Sequence, residues 1–317
     1  MGVAIAYPLK DFDTINVDIC RLSDERPSGW PREKEEEDNT KGIGLIQRIN
    51  KTYRMYIGQT IQSINSRVIK RLGYSGEKPP VDHWKMSENR FNVLLTVTLK
   101  HHGADDSSAF SVSNYHMPCA FYAPPVMNIH ADMVSKRVQD LAAASWKSIH
   151  NVEAVETEGE EDDDETADTT TKKILHILAG DFNILPDSSH YKLLTTGKLD
   201  RSDPTYPSPG LDGVEWKVES NPMDSAYTMM TKDSTTASEP EFTNYAHIKE
   251  DPKPFIGTLD YIFLSQKECT CSHDKGGKSW KVHSVEKLPS IEESGGPYPN
   301  KIEPSDHILI AADLEII

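Results

Sequence analysis

Apolar residues recur at every second position from Phe91 to Leu99, which places Phe91, Val93, Leu95, Val97 and Leu99 on one face of a half-buried strand. Phe110 to His116 keeps the same period, so Phe110, Val112, Asn114 and His116 share a side, and two polar groups emerge at the strand's end in line with two apolar ones. The short run Ile174 to Ala179 (ILHILA) predicts a strand buried on both faces and stopped by Gly180. Thr258 to Leu264 predicts a strand that carries Asp260, and His307 to Ala312 a final strand entered through Pro304, Ser305 and Asp306. At the other end Gly2 to Tyr7 (GVAIAY) is a β-type run with no turn before it, so the chain is expected to open inside a sheet. A 3.6 period appears twice. Val134, Val138, Leu141 and Ser145 make Asp132 to Trp146 a helix packed on the sheet. Ile61, Ile64, Val68 and Leu72 predict a short amphipathic helix from Thr60 to Leu72, with Gly73 placed to end it.

Strands and helices in this mixture predict an α/β domain. At 317 residues two domains are possible, but large two-sheet α/β sandwiches of this size also fold as one, and residues 1–317 are read as a single domain with insertions. Ser23 to Gly42, Asp200 to Gly213 and Thr231 to Glu239 are loops by composition. Apolar residues at 37% suffice for a packed core, while twenty prolines point to many loops.

The net charge of −16 argues against a nucleic-acid ligand only if it is spread evenly. It is not. Ten acidic residues and no basic one lie between Val152 and Asp168, so the rest of the chain carries only −6. Like charges repel and the few small apolar residues among them make no core, so 152–171 is expected to be a disordered acidic insertion. Such a run is a solvated loop, or it competes with substrate for a basic groove.

No apolar run has membrane-spanning length, so no membrane partner is expected, and the default compartment is intracellular, cytoplasmic or nuclear. Four cysteines are too few and too irregular for a disulfide framework. Cys269 and Cys271 with His273 lack a second pair at zinc-finger spacing and read as surface-loop thiols. The sequence points to no obligate protein partner.

Four polar clusters sit at predicted strand ends: Asn114 with His116, Asp181 with Asn183, Asp260, and Asp306 with His307. Carboxylates at the ends of several core strands can converge on one hard cation, because Mg²⁺ takes oxygen ligands and keeps waters for a substrate. Singly, an Asp-x-Asn after a glycine is a turn and a Ser-Asp-His a loop. Together and in this order they have a further reading.

The succession Asn114-Tyr115-His116, Gly180-Asp181-Phe182-Asn183, Gly257-Thr258-Leu259-Asp260-Tyr261-Ile262-Phe263 and Ser305-Asp306-His307 resembles that of the endonuclease/exonuclease/phosphatase superfamily. Glu241-Phe242-Thr243-Asn244-Tyr245 and Ser225-Ala226-Tyr227 resemble its branch of poly(A) deadenylases, nocturnin and 2′-phosphodiesterases. The resemblance implies a four-layer α/β sandwich, two mixed sheets face to face with helices outside, and in-line attack of water on phosphorus with Mg²⁺ or Mn²⁺ as cofactor. It implies that Asp181 orients or deprotonates the water and touches the metal, and that Asn183 donates to a phosphoryl oxygen. Asp260 would fix the tautomer of His307, Asp306 would ligate the metal, and His116 would contact the phosphate with Asn114 in support. Phe242 would be a stacking platform for a base, or else an ordinary core residue.

One departure stands against these matches. The family's first strand ends in Asn and leads through a helix to a Glu that is the principal Mg²⁺ ligand, and neither precedes Gly2. Glu35 to Glu37 lie in a charged loop and are poor substitutes. The expectation is therefore a domain lacking its first strand and helix, either an N-terminally incomplete enzyme or a degenerate relative, and the intact remainder of the motifs favours the former. The leading functional expectation is a Mg²⁺-dependent phosphoester hydrolase acting on RNA or another nucleotide-containing substrate, with 3′-to-5′ exoribonuclease as its sharpest form. A small-molecule nucleotide phosphatase and a catalytically inactive interaction module are the alternatives.

Overall fold

The computed structural model describes residues 2–27, 29–32, 81–151, 172–231, 238–248, 253–266, 277–301 and 303–317. The helix expected at 60–72, the acidic run at 152–171 and Cys269, Cys271 and His273 lie outside the described residues. The chain groups into two compact units. Residues 31–82 with 209–214 form one, in which Gly210 N–H donates to the Val214 carbonyl at 3.0 Å. Residues 1–30, 83–208 and 215–317 form the other, which holds every candidate site residue named above.

Among its described residues the larger unit has ten strands, β1 (Phe12–Arg21), β2 (Val93–His101), β3 (Phe110–Tyr115), β4 (Leu175–Asp181), β5 (Met223–Ser225), β6 (Asn244–Ala246), β7 (Phe255–Gly257), β8 (Asp260–Ser265), β9 (Trp280–Val285) and β10 (Ala312–Ile316). Its helices are α1 (His83–Glu88), α2 (Pro124–Ile149), α3 (Ser189–Thr196) and α4 (Ala226–Thr231). Six strands form one mixed sheet in the order β1-β2-β3-β4-β8-β5, while β9 pairs with β10 and β6 with β7. Only β3 and β4 run parallel within the large sheet. A parallel neighbour needs a crossover, and α2 supplies it.

Pro124 opens α2, where a missing N–H costs nothing. The helix lays Val126, Ile129, Val134 and Val138 on the large sheet against Leu94, Tyr115, Leu178 and Phe263. The opposite face of the sheet carries Phe110, Leu175, Ile177 and Ile262, which pack with Trp280, Val282, Leu314 and Ile316 of the β9–β10 pair. Helix, sheet and second sheet are thus stacked in layers, the α/β sandwich class expected from the sequence.

Layering on both faces explains where the alternation misleads. In β2 the even positions Leu94, Thr96 and Thr98 are buried as well as Val97 and Leu99, while Phe91 lies before the strand and is 80% exposed. The threonines are satisfied inside the fold, Thr98 by the Ser145 hydroxyl at 3.1 Å and Thr96 by Ser113 at 2.8 Å. Gly2 to Tyr7 pairs in no ladder; the first strand is Phe12–Arg21, whose Ile15, Val17 and Ile19 alternate with Asn16 and Asp18. Its polar side faces α2, with Asp18 bonded to Arg137 at 3.1 Å. The last strand begins at Ala312 rather than His307, and α2 begins eight residues before the predicted start.

Gly180 does not stop β4. It lies inside the strand at φ +147°, and a Cβ there would stand 2.0 Å from the Tyr115 carbonyl oxygen, so only glycine lets β4 pass β3 this closely.

Candidate active site

The ends of β3 and β4 and the start of β8 meet at one rim of the large sheet. Asp181 and Asp260 are direct cross-strand partners in the β4–β8 ladder, so two carboxylates from positions 79 residues apart stand side by side. Burial first, and the neighbouring Asp260 charge second, push the Asp181 carboxyl above the usual carboxylate range.

Past β4 the chain turns sharply. Asn183 adopts φ +51°, a left-handed conformation that asparagine tolerates better than most residues, and its N–H donates to Asp181 Oδ1 at 2.9 Å. Its side-chain Nδ2 donates to the Met117 carbonyl at 3.0 Å, and Met117 N–H donates to the Asp181 carbonyl at 2.8 Å. These bonds clasp the two loop starts together and leave Asp181 Oδ2 facing the rim.

That oxygen faces two imidazoles. His116 Nε2 lies 3.4 Å from it and His307 Nε2 3.8 Å. His116 follows β3, and its carbonyl accepts from Asn92 Nδ2 at 2.6 Å. Asn114, on the same face of β3, donates instead to the Ala4 carbonyl at 2.8 Å. His307 arrives from the segment before β10, held by an isolated bridge to Asn244. Its Nδ1–H donates to Asp260 Oδ2 at 2.8 Å. A carboxylate can only accept, so this bond fixes the proton on Nδ1; it is also the leading reason that the imidazole pKa is raised.

The Asp260 carboxylate has a further partner that the sequence reading passed over. Thr243 Oγ1 donates to the same Oδ2 at 2.7 Å and accepts from the backbone N–H groups of Leu259 and Asp260 at 2.9 and 3.0 Å. The signal was present, since Thr243 follows Phe242 in the segment already singled out.

Two of the remaining positions behave differently. Phe242 is fully buried against Tyr245 and Tyr298, so its ring offers no open face to a base and the core alternative holds. Asp306 Oδ2 accepts from Asn244 Nδ2 at 3.3 Å, and the Asp306 charge adds to the rise of the His307 pKa.

Among the described residues, one group of side chains has the ligand types and spacing for a metal ion: Asp181, Asp260 and His307, whose ligand atoms lie within 4.8 Å of one another. Within that group Asp260 Oδ2 and His307 Nδ1 are spent on each other, and an imidazole held toward its charged form is a poor ligand. Asp181 is the oxygen donor left facing the rim.

No family model matches the chain. It is 32% identical over 142 residues to carbon catabolite repressor protein 4 homolog 4 of Arabidopsis thaliana, a match that takes in 44% of this chain and 27% of that protein. It is 28% identical over 141 residues to 2′,5′-phosphodiesterase 12 of Mus musculus, covering 44% of this chain and 19% of that one. The matches thus take in well under a third of either relative's length. Among solved structures, the human nocturnin catalytic domain with bound sulfate aligns with TM-score 0.39 at 16% identity, over 72% of this chain and 54% of that one. ANGEL2, a 2′,3′-cyclic phosphatase, aligns with TM-score 0.44 at 18% identity, over 75% and 63%. The two sequence relatives, a carbon catabolite repressor protein 4 homolog and a 2′,5′-phosphodiesterase, are of the kinds its motifs resembled.

Proposed function

We propose that this chain hydrolyses a phosphoester of a nucleotide-containing substrate with the help of Mg²⁺ or Mn²⁺, and that RNA cleaved from its 3′ end is that substrate. The observation that carries the reading is Asp181 Oδ2, a half-buried carboxylate oxygen of raised basicity with two imidazole nitrogens at 3.4 and 3.8 Å. A water placed there can be aligned on phosphorus and give up its proton to Asp181. His307, held toward its protonated form by Asp260, turns Nε2–H toward the same space and donates to a phosphoryl oxygen as negative charge grows there. His116 does so from the other side, and Asn183 has a second side-chain N–H beyond the one bonded to Met117.

Mg²⁺ is commonly held by one or two carboxylates plus substrate phosphate oxygens, and Asp181 would be its carboxylate ligand here; Asp306, the second ligand expected from the sequence, is not among the side chains whose ligand atoms converge on Asp181. When bound, the ion neutralises charge on the phosphoryl group. The similarity to a 2′,5′-phosphodiesterase and to a carbon catabolite repressor protein 4 homolog supports a nucleotide phosphoester over other phosphate esters.

The test is hydrolysis of oligoadenylate and of a nucleotide 2′-phosphate, with Mg²⁺ and with EDTA, by the chain and by its Asp181→Asn and His307→Ala variants. The expected result is cation-dependent cleavage of oligoadenylate, reduced on the order of 10² to 10⁴-fold in each variant. Cleavage of the 2′-phosphate alone would replace RNA by a small nucleotide as substrate. Silence on every phosphoester would leave an interaction module.

A further inference from the structure

The far end of the large sheet, away from Asp181, holds a cleft of about 420 Å³. It lies where α2 ends, where β3, β4 and β9 begin and where β8 finishes. From Leu175 at this cleft to Asp181 at the other rim is the length of β4, about 20 Å at roughly 3.3 Å per residue, so no small ligand reaches both.

The walls divide by chemistry. Ala109, Trp146, Ile174 and Leu175 give an apolar, partly aromatic side. Lys172, Lys173 and Lys278 line the other, and among the described residues the single carboxylate in the lining, Asp106, is already engaged by Lys100 at 2.6 Å. Two of the lysines are positioned in advance. Lys172 Nζ lies over the Trp146 ring, 5.6 Å from its centroid, and Lys278 Nζ donates to the Ser107 carbonyl and, at 3.1 Å, to its hydroxyl. Trp146 is itself fixed by His150, whose ring stacks on it at 4.3 Å while His150 Nδ1 bonds the Trp146 carbonyl at 2.9 Å.

We propose that this cleft is a second ligand site that takes a mononucleotide, with the phosphate on Lys172 and Lys278 and the base along the apolar side of Ala109, Ile174 and Leu175. The volume falls in the roughly 300–1,000 Å³ range of small-ligand pockets. Held ammonium groups beside a flat apolar wall match a molecule with a phosphate at one end and an aromatic ring at the other. Neither half of the wall explains the other: a bare anion has no use for the apolar side, and a bare ring has none for the lysines. A ligand here acts at a distance from the Asp181 rim, and it shares no residue with it.

Calorimetric titration of adenosine 5′-monophosphate in EDTA tests the proposal, with inorganic phosphate and adenosine as separate arms. The chain is expected to bind the nucleotide more tightly than either fragment, with affinity that falls as salt rises. The Lys172→Ala/Lys278→Ala variant should lose at least tenfold in affinity at that site, while Lys172→Arg/Lys278→Arg keeps it. Thermal midpoint and hydrolysis at Asp181 serve as controls and should not change. Nucleotide binding that the alanine variant retains in full, or phosphate bound as tightly as the nucleotide, would overturn the assignment. So would absence of binding at millimolar concentration. A loss of hydrolysis in the chain itself, by contrast, bears on the Asp181 site and leaves this one standing.

Discussion

Thr243 and Asp260 are joined by a 2.7 Å hydrogen bond from the threonine hydroxyl to Oδ2, the oxygen that also receives His307 Nδ1 at 2.8 Å. The hydroxyl closes a small circuit, because it accepts the N–H groups of Leu259 and Asp260 while donating to the carboxylate. The Asp260 carboxylate therefore cannot swing away from His307 without also losing the Thr243 bond, and two backbone N–H groups hold that hydroxyl in place.

Replacing Thr243 by Val keeps the shape and removes the hydroxyl, leaving two backbone N–H groups and the carboxylate oxygen short of a partner. Stability should fall by about 1–3 kcal/mol, and hydrolysis should fall more than the loss of folded protein accounts for. Thr243→Ser should restore most of both. Urea unfolding alongside turnover at saturating substrate separates the two effects, and a fully active valine variant would show that the threonine does not hold the dyad.

At Gly180 the added methyl of Gly180→Ala meets backbone, with the Tyr115 carbonyl oxygen at 2.0 Å and its carbon at 2.9 Å. Neither can move without parting β3 from β4, so the variant is expected to be insoluble or to lose several kcal/mol, beyond the 1–3 typical of overpacking. Gly103→Ala, at φ +72° with nothing within 4 Å, carries backbone strain alone and should cost only about 1–2 kcal/mol. Comparable urea midpoints for the two would contradict the close passage.

Two buried histidines should make the fold acid-sensitive. Burial lowers His130 to a pKa of about 4 and His176 to about 3. His130 keeps one proton inside, with Nδ1 on the Tyr115 hydroxyl at 2.9 Å and Nε2 on the Ser87 carbonyl at 3.2 Å. Above an ordinary imidazole pKa near 6.5 both states are neutral and nothing is lost. As pH falls below that value the unfolded chain takes up protons and the folded one does not, so stability drops until the folded pKa values are reached. Each histidine contributes roughly 3 kcal/mol to that loss by about pH 4.5. Urea midpoints measured from pH 7 to pH 4.5 should decline, and His176→Phe should flatten the slope. A midpoint independent of pH in that window would refute the buried neutral rings.

Deleting Val152 to Asp168 removes ten negative charges. If RNA is the substrate, a single-stranded oligonucleotide should bind more tightly to the shortened chain at low salt, and the difference should vanish as salt is raised. The thermal midpoint should not move. Equal affinity at low salt would place those charges out of reach of the ligand.

Much of the architecture was legible because its signals are local. A period of two identifies β2 and β3 whatever else the chain does, and polar residues in phase with it place Asn114 and His116 at a strand's end. The same reasoning, carried to Phe12–Arg21, would have found β1 from Ile15, Val17 and Ile19. Alternation names two faces, however, and does not say which is covered. Phe263 and Leu264, neighbours in β8, are both buried because a helix lies on one side of the sheet and two strands on the other, which only assembly decides. The site follows the same division. The residue types and their order, Asp181, Asn183, Asp260 and His307, are in the sequence, and they suffice to suggest hydrolytic chemistry. What they do there depends on register and approach: Asp181 facing Asp260 across a ladder, Thr243 locking Asp260 from 17 residues away, Phe242 turned inward rather than toward a base. Those contacts join segments that are distant along the chain, and the energies that choose among them come from burial and pairing, which no local pattern encodes.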